Sequence, residues 1–164
     1  MSVTTVRAEL VEAIQWQWLP FDALSREQLY ALLRLRSEVF VVEQNCVFLD
    51  IDGQDDKAMH LLGTRVVDGA AQLVAYVRCF PKGISFAEAS IGRVVTKPLA
   101  RGGGLGHLLM AEAVRALLAQ WGPQPIRIGA QAHLKAFYQQ HGFVDMGLPY
   151  DEDGIAHLEM LRAA

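Results

Sequence analysis

The segment from Ile91 to Trp121 constrains this chain more than any other. Ile91, Val94, Val95 and Thr96 are β-branched and read as a strand. Lys97-Pro98-Leu99-Ala100 leads off it into Arg101-Gly102-Gly103-Gly104-Leu105-Gly106. Leu105, Leu108, Leu109, Val114, Leu117 and Leu118 then follow helical spacing from Gly104 to Trp121, where Gly122-Pro123 stops the helix. A strand that enters a long amphipathic helix through glycines exposes several backbone N–H groups at the positive end of the helix dipole. That is a site for an anion, and a pyrophosphate fits it. Glycine is needed because a Cβ would hold phosphate oxygens away from the amides. A glycine run can be merely a turn, but three in succession opening a helix favour the anion.

The flanking sequence supplies a sheet for this unit. Ile14 to Leu19 reads as a first strand ending at Pro20. Ser25 and Gln28 form a capping box for a helix from about Arg26 towards Val41. Asn45 to Lys57 is acidic and turn-like, a loop expected to cross the surface. Strands follow at His60–Val67, Gln72–Phe80 and Glu88–Thr96, the first two joined by the turn signal Asp68-Gly69. After the long helix come a strand at Ile126–Ala130, a short helix at His133–Gln140 closed by Gly142, and strands at Phe143–Met146 and Ile155–Leu161. The order β-α-β-β-β-α-β-α-β-β predicts an α/β (α+β) fold with a mixed, mostly antiparallel sheet flanked by helices. At 164 residues it predicts a single domain spanning 1–164.

Composition narrows the ligand. The net charge is −3 and the 15 Lys and Arg are dispersed, which argues against nucleic acid as a partner. Arg7, Glu9 and Glu12 interrupt the apolar stretch a signal peptide would need. No run approaches the roughly 18 apolar residues of a membrane helix, so no membrane partner is expected and a cytoplasmic location is. Cys46 and Cys79 match neither a disulfide framework nor a zinc knuckle and read as buried thiols.

The glycine spacing excludes two common phosphate loops. No Gly-Lys-Ser/Thr follows the turn, so it is not a Walker loop. The dinucleotide fingerprint needs a third glycine where His107 or Leu109 stands. Arg101-x-x-Gly104-x-Gly106 instead resembles the Gln/Arg-x-x-Gly-x-Gly/Ala signature of the GNAT N-acetyltransferases. Tyr138 to Phe143 resembles that family's later motif, a tyrosine a few residues before Gly-Phe. Leu35–Gln44, Ile91–Val95, Ala130–Leu134 and Tyr150–His157 are similar to the ElaA-like branch, so the likeness covers nearly the whole chain. Many members carry an Asn six residues before the tyrosine. Here Ala132 stands there, and Gln131 or His133 would have to supply that contact.

The resemblance implies the acyl-CoA N-acyltransferase fold and acetyl-CoA as co-substrate, with no metal. It implies transfer of an acetyl group to a primary amine, on a small molecule or a peptide, by direct attack within a ternary complex. Arg101, Gly102, Gly103, Gly104, Leu105, Gly106 and His107 would hold the pyrophosphate end, and the strand amides of Val94, Val95 and Thr96 the pantetheine arm. Tyr138, a phenol protonated at neutral pH, would give the departing thiolate its proton. A base must take a proton from the ammonium. Glu88 leads because it shares a strand face with Ser90 beside the cofactor segment, with Glu43, His60, His157 and Glu159 as alternatives.

Other features carry less. Asp50 to Asp56 looks like a calcium loop, but its glycine is fourth and Leu61 stands where the closing Glu belongs. Its acidic residues, like Asp151-Glu152-Asp153, read as solvated charge or as attraction for a cationic acceptor. The five histidines lack metal-ligand spacing. Competing functions are a CoA-binding sensor without turnover, a transferase of longer acyl groups and a phosphate-binding regulator. A symmetric homodimer is expected on general prevalence.

Overall fold

The computed structural model of the chain describes residues 14–164, and the reading of the first residues lies outside them. Seven strands form one sheet in the order β1-β2-β3-β4-β5-β7-β6. They are β1 (Gln15–Pro20), β2 (Met59–Val67), β3 (Ala70–Phe80), β4 (Ala89–Thr96), β5 (Ile126–Gln131), β6 (Phe143–Glu152) and β7 (Ile155–Arg162). Every pairing is antiparallel except β4 with β5. The mixed, mostly antiparallel sheet is therefore as expected.

The first helix, α1 (Arg26–Arg36), starts where the capping box places it: Gln28 N–H donates to Ser25 Oγ at 3.0 Å and Ser25 N–H to Gln28 Oε1 at 2.9 Å. It does not continue as α-helix to Val41. From Ser37 to Glu43 it widens into π-helical turns, with Gln44 N–H reaching Val39 O and Cys46 N–H reaching Val41 O. Such widening is common where a helix borders a site. Leu32, Leu35 and Val39 pack on Leu62, Tyr76 and Val95 on one face of the sheet.

The opposite face is covered by α2 (Leu105–Trp121). Its Leu105, Leu109, Met110, Ala113 and Leu117 bury against Leu61, Ala75, Val77, Cys79, Ala89 and Ile91. This is the larger core and it fixes where the N-terminus of α2 emerges, at the end of β4. Helix α3 (Lys135–Gln139) is shorter than expected because Ala132–Leu134 form a tighter 3₁₀ turn before it. Strand β6 is longer than expected, since pairing with β7 is interrupted by an irregularity between Asp145 and Pro149 and then resumes to Glu152.

The sheet is not continuous at its centre. Strands β4 and β5 pair only at Ala89↔Ile126 and Ser90↔Arg127. Beyond Ser90 they splay, and the rest of each strand faces a gap.

Candidate active site

That gap is a cleft of about 670 Å³. One wall is the β4 edge from Ser90 to Thr96, the other is Ile128, Gly129 and Gln131 of β5. On the β4 side, Tyr76 pairs with Val95 and Arg78 with Gly92, so Arg93 and Val94 together face Val77 alone. This is a β-bulge, and Arg93 takes a left-handed φ of 52° to make it. A bulge breaks the regular ladder with β3 and re-aims the backbone beside it, here next to the cleft.

The strained bulge is held by a buried ionic lattice. Arg93 Nε lies 2.7 Å from Asp50 Oδ1, and its Nη2 donates to Asp50 O at 3.0 Å. Arg36, with no exposed surface, binds Asp50 through Nε at 2.9 Å and Asp55 through Nη1 at 2.7 Å. Arg78 pairs with Asp52 at 2.8 Å and Asp55 at 3.0 Å. Burial by itself would raise Asp52, but the hydrogen bonds and charge of Arg78, the Gln54 amide and Arg93 bring it down to about 2. Three arginines thus meet three aspartates. The acidic loop is a correction to the sequence reading: Asp50, Asp52 and Asp55 are spent on this lattice, and only Asp56 of the four is exposed.

The glycine turn opens α2 as expected. Gly102 and Gly104 have φ of 96° and 81°, which only glycine adopts without strain. Gly103 has nothing within 4 Å of where a Cβ would stand, and a Cβ on Gly106 would only touch Phe137. These two are open ground beside the helix N-terminus, so a ligand there meets amides without side chains in the way. Leu105 turns its side chain into the core, leaving its backbone for that role. Arg101 lines the cleft and donates to Glu43 Oε1 at 2.7 Å and to the Thr96 carbonyl at 3.1 Å. His107 is exposed and joined to His141, Nδ1 to Nε2, at 2.9 Å.

Tyr138 lines the same cleft between Phe137 and Phe143, and burial pushes its hydroxyl up to about 12. It stays a phenol throughout the neutral range. Val94, Val95 and Thr96 all line the cleft, although Val95 also anchors the α1 core. Glu88 does not line it. It lies in the bend just before β4 and forms a two-pronged pair with Arg127, Nε to Oε2 at 3.0 Å and Nη2 to Oε1 at 3.1 Å. The carboxylate of the leading base candidate is thus engaged by Arg127 and is not among the cleft's lining groups.

Several cleft residues were missed by the sequence reading. Phe48, Phe80, Phe86 and Tyr150 add an aromatic part to its lining. Tyr150 stacks on His157, and a Cβ on Gly129 would meet its hydroxyl, so Gly129 is small to let the ring pass. Gln131 donates to Gln44 Oε1 at 3.1 Å, joining β5 to the π-helical segment. The one available signal was Arg78 in the otherwise apolar Ala75-Tyr76-Val77-Arg78-Cys79-Phe80, a charge that burial obliges to find partners.

A family model described as acetyltransferase (GNAT) domain matches residues 51–163, spanning β2 to β7 with both the glycine turn and the Tyr138 segment. The chain belongs to the GNAT family. Within it the chain is ElaA-like: it is 43% identical to protein ElaA of Escherichia coli over 151 residues, 91% of this chain and 96% of that one. The crystal structure of an acyl-CoA N-acyltransferase from Pseudomonas aeruginosa superposes with a TM-score of 0.82 at 42% identity, covering 91% of this chain and 99% of the other. The fold is shared more widely. The PaiA N-acetyltransferase of Thermoplasma acidophilum, solved in complex with coenzyme A, is similar at TM-score 0.63 and 16% identity, over 93% and 99% of the two chains. GNAT membership implies acyl-CoA-dependent acyl transfer. No helix among the described residues is long and apolar enough to cross a membrane.

Proposed function

We propose that the protein transfers an acetyl group from acetyl-CoA to a primary amine by direct attack, with both substrates bound together. The observation that carries this reading is the splay of β4 from β5 beside the Arg93–Val94 bulge, with Tyr138 in the same cleft. An unpaired strand edge offers its amides and carbonyls to an extended amide-bearing chain, as a missing strand would. The pantetheine arm is such a chain. Gly102 to Gly106 and the start of α2 would receive the pyrophosphate, where Gly103 and Gly106 leave room. An amide of the bulged segment would polarise the thioester oxygen, and Tyr138 would protonate the sulfur as the C–S bond breaks.

The lining of the cleft supports an acceptor with an apolar body. Phe48, Phe80, Phe86 and Tyr150 are aromatic, and the carboxylate of Asp52 is already paired with Arg78. Glu152 and Asp153 remain at the rim to attract an ammonium group. The test is release of free thiol from acetyl-CoA against a panel of primary amines, with mass detection of the acetylated product. Longer acyl-CoA donors run in parallel decide the donor. Binding of CoA, seen as a rise in melting temperature, without thiol release from any amine or donor would leave a binding protein and overturn the reading.

A further inference from the structure

Amine acylation needs a group that takes a proton from the ammonium, and the cleft narrows the choice sharply. Glu88 and Glu159 are both engaged by Arg127 outside the cleft. Glu43 is paired with Arg101. His60 is fully buried, with Nδ1 against the Tyr76 hydroxyl at 2.6 Å and Nε2 against the Asp55 carbonyl at 2.8 Å, so neither ring nitrogen is free. Ser90 lines the cleft but a hydroxyl is no base at neutral pH. Asp52 is held by Arg78.

His133 lines the cleft too but is exposed, and His157 differs from all of these. It lines the cleft and is only 8% exposed. Its Nδ1 lies 2.8 Å from the Ile155 carbonyl, which can only accept, so Nδ1 carries the hydrogen and Nε2 of the neutral ring carries a lone pair. The ring is fixed by stacking on Tyr150 at 5.3 Å. Its β5 neighbour is Gln131, on the cleft wall itself. Glu152 Oε2 stands 3.5 Å from Nε2. A carboxylate cannot donate to that lone pair, so beside a neutral ring both atoms are acceptors that one donor such as an ammonium would satisfy.

We propose, resting on the amine-acylation reading, that His157 Nε2 is the proton acceptor of the reaction and that Glu152 binds the ammonium beside it. The ammonium gives one proton to Nε2, and Glu152 then pairs with the imidazolium until it discharges to solvent. The free amine attacks the thioester carbonyl, the C–N bond forms and the C–S bond breaks. The thiolate takes the Tyr138 proton, and the second proton lost by nitrogen on amide formation restores the phenol. The sum is ammonium plus thioester giving amide, thiol and one proton.

The experiment measures turnover in wild type, His157→Gln, His157→Ala and Glu152→Gln, with melting curves and the CoA-induced stabilisation as controls on fold and cofactor binding. The expected result is a loss of about 100- to 10,000-fold in kcat for both His157 variants, with CoA stabilisation retained. Glu152→Gln should chiefly raise KM for the amine. Added imidazole should restore turnover to His157→Ala, and an alkoxyamine, uncharged at neutral pH, should shrink the defect. If the His157 variants turn over like wild type, this inference fails alone. The same holds if their loss is equal for charged and uncharged acceptors and imidazole does not relieve it. If the wild type binds CoA but acylates no amine, the underlying reading fails and this inference with it.

Discussion

Arg93 Nε stands 2.7 Å from Asp50 Oδ1, so the residue that bulges β4 is anchored to a loop 43 positions earlier in the chain. The anchor is itself held by Arg36, which is fully buried and shared between Asp50 and Asp55. Removing one partner of a buried pair leaves uncompensated charge, typically at a cost of about 3–5 kcal/mol. Arg36→Leu should therefore lose stability of that order in urea unfolding. Arg115→Gln, an exposed helix pair, should change by less than about 0.5 kcal/mol. Comparable losses for the two would mean that the lattice contributes little.

Acid should dismantle the same lattice. Asp52 and Asp55 both titrate below the ordinary carboxylate value of 3.8, Asp52 at about 2. A depressed carboxylate stabilises the fold fully above its unfolded value, and that contribution disappears as pH falls through the folded value. The melting temperature should hold steady down to about pH 4 and then drop towards pH 2. Asp52→Asn should flatten this drop. An equal slope in the variant would remove Asp52 from the acid response.

Gly103→Glu places a carboxylate in open space without disturbing a positive φ, so the fold should survive while the proposed pyrophosphate site acquires a like charge. CoA-induced stabilisation should vanish, since only a ligand that binds the folded state raises its melting temperature. Retained stabilisation would move the cofactor away from this turn.

Tyr138→Phe keeps the ring between Phe137 and Phe143 and removes only the hydroxyl. Turnover should fall by about 100- to 10,000-fold with acetyl-CoA affinity unchanged. Glu88→Gln gives the contrast: with its carboxylate committed to Arg127 outside the cleft, it should leave kcat and its pH profile as in wild type. A fall confined to low pH in Glu88→Gln would restore it as the base.

Local signals were legible wherever a few neighbouring residues determine the structure. The Ser25–Gln28 box, the Asp68-Gly69 turn and the glycines before Leu105 each act within about one turn of chain, and each appears where the sequence puts it. The loop from Asn45 to Lys57 was not legible. Its aspartates look like solvated charge until Arg36, Arg78 and Arg93 are brought to them from three other elements, and no local pattern encodes such a meeting. The surroundings of Glu88 were hidden for a related reason. Strand alternation was applied to a residue that lies in the bend before β4, and it could not reveal Arg127, 39 residues away on the neighbouring strand.

The splay has one consequence beyond chemistry. A sheet normally hides its unpaired N–H and C=O groups at its margins, where short, charged or bulged strands discourage other chains from pairing with them. Here β4 and β5 part after two residue pairs, so two further margins run through the middle of the molecule. A chain kept without ligand at high concentration exposes them to extended segments of its neighbours. Solubility in storage should then track occupancy of the cleft, with CoA acting as a stopper against self-association, a property visible in light scattering before any substrate is known.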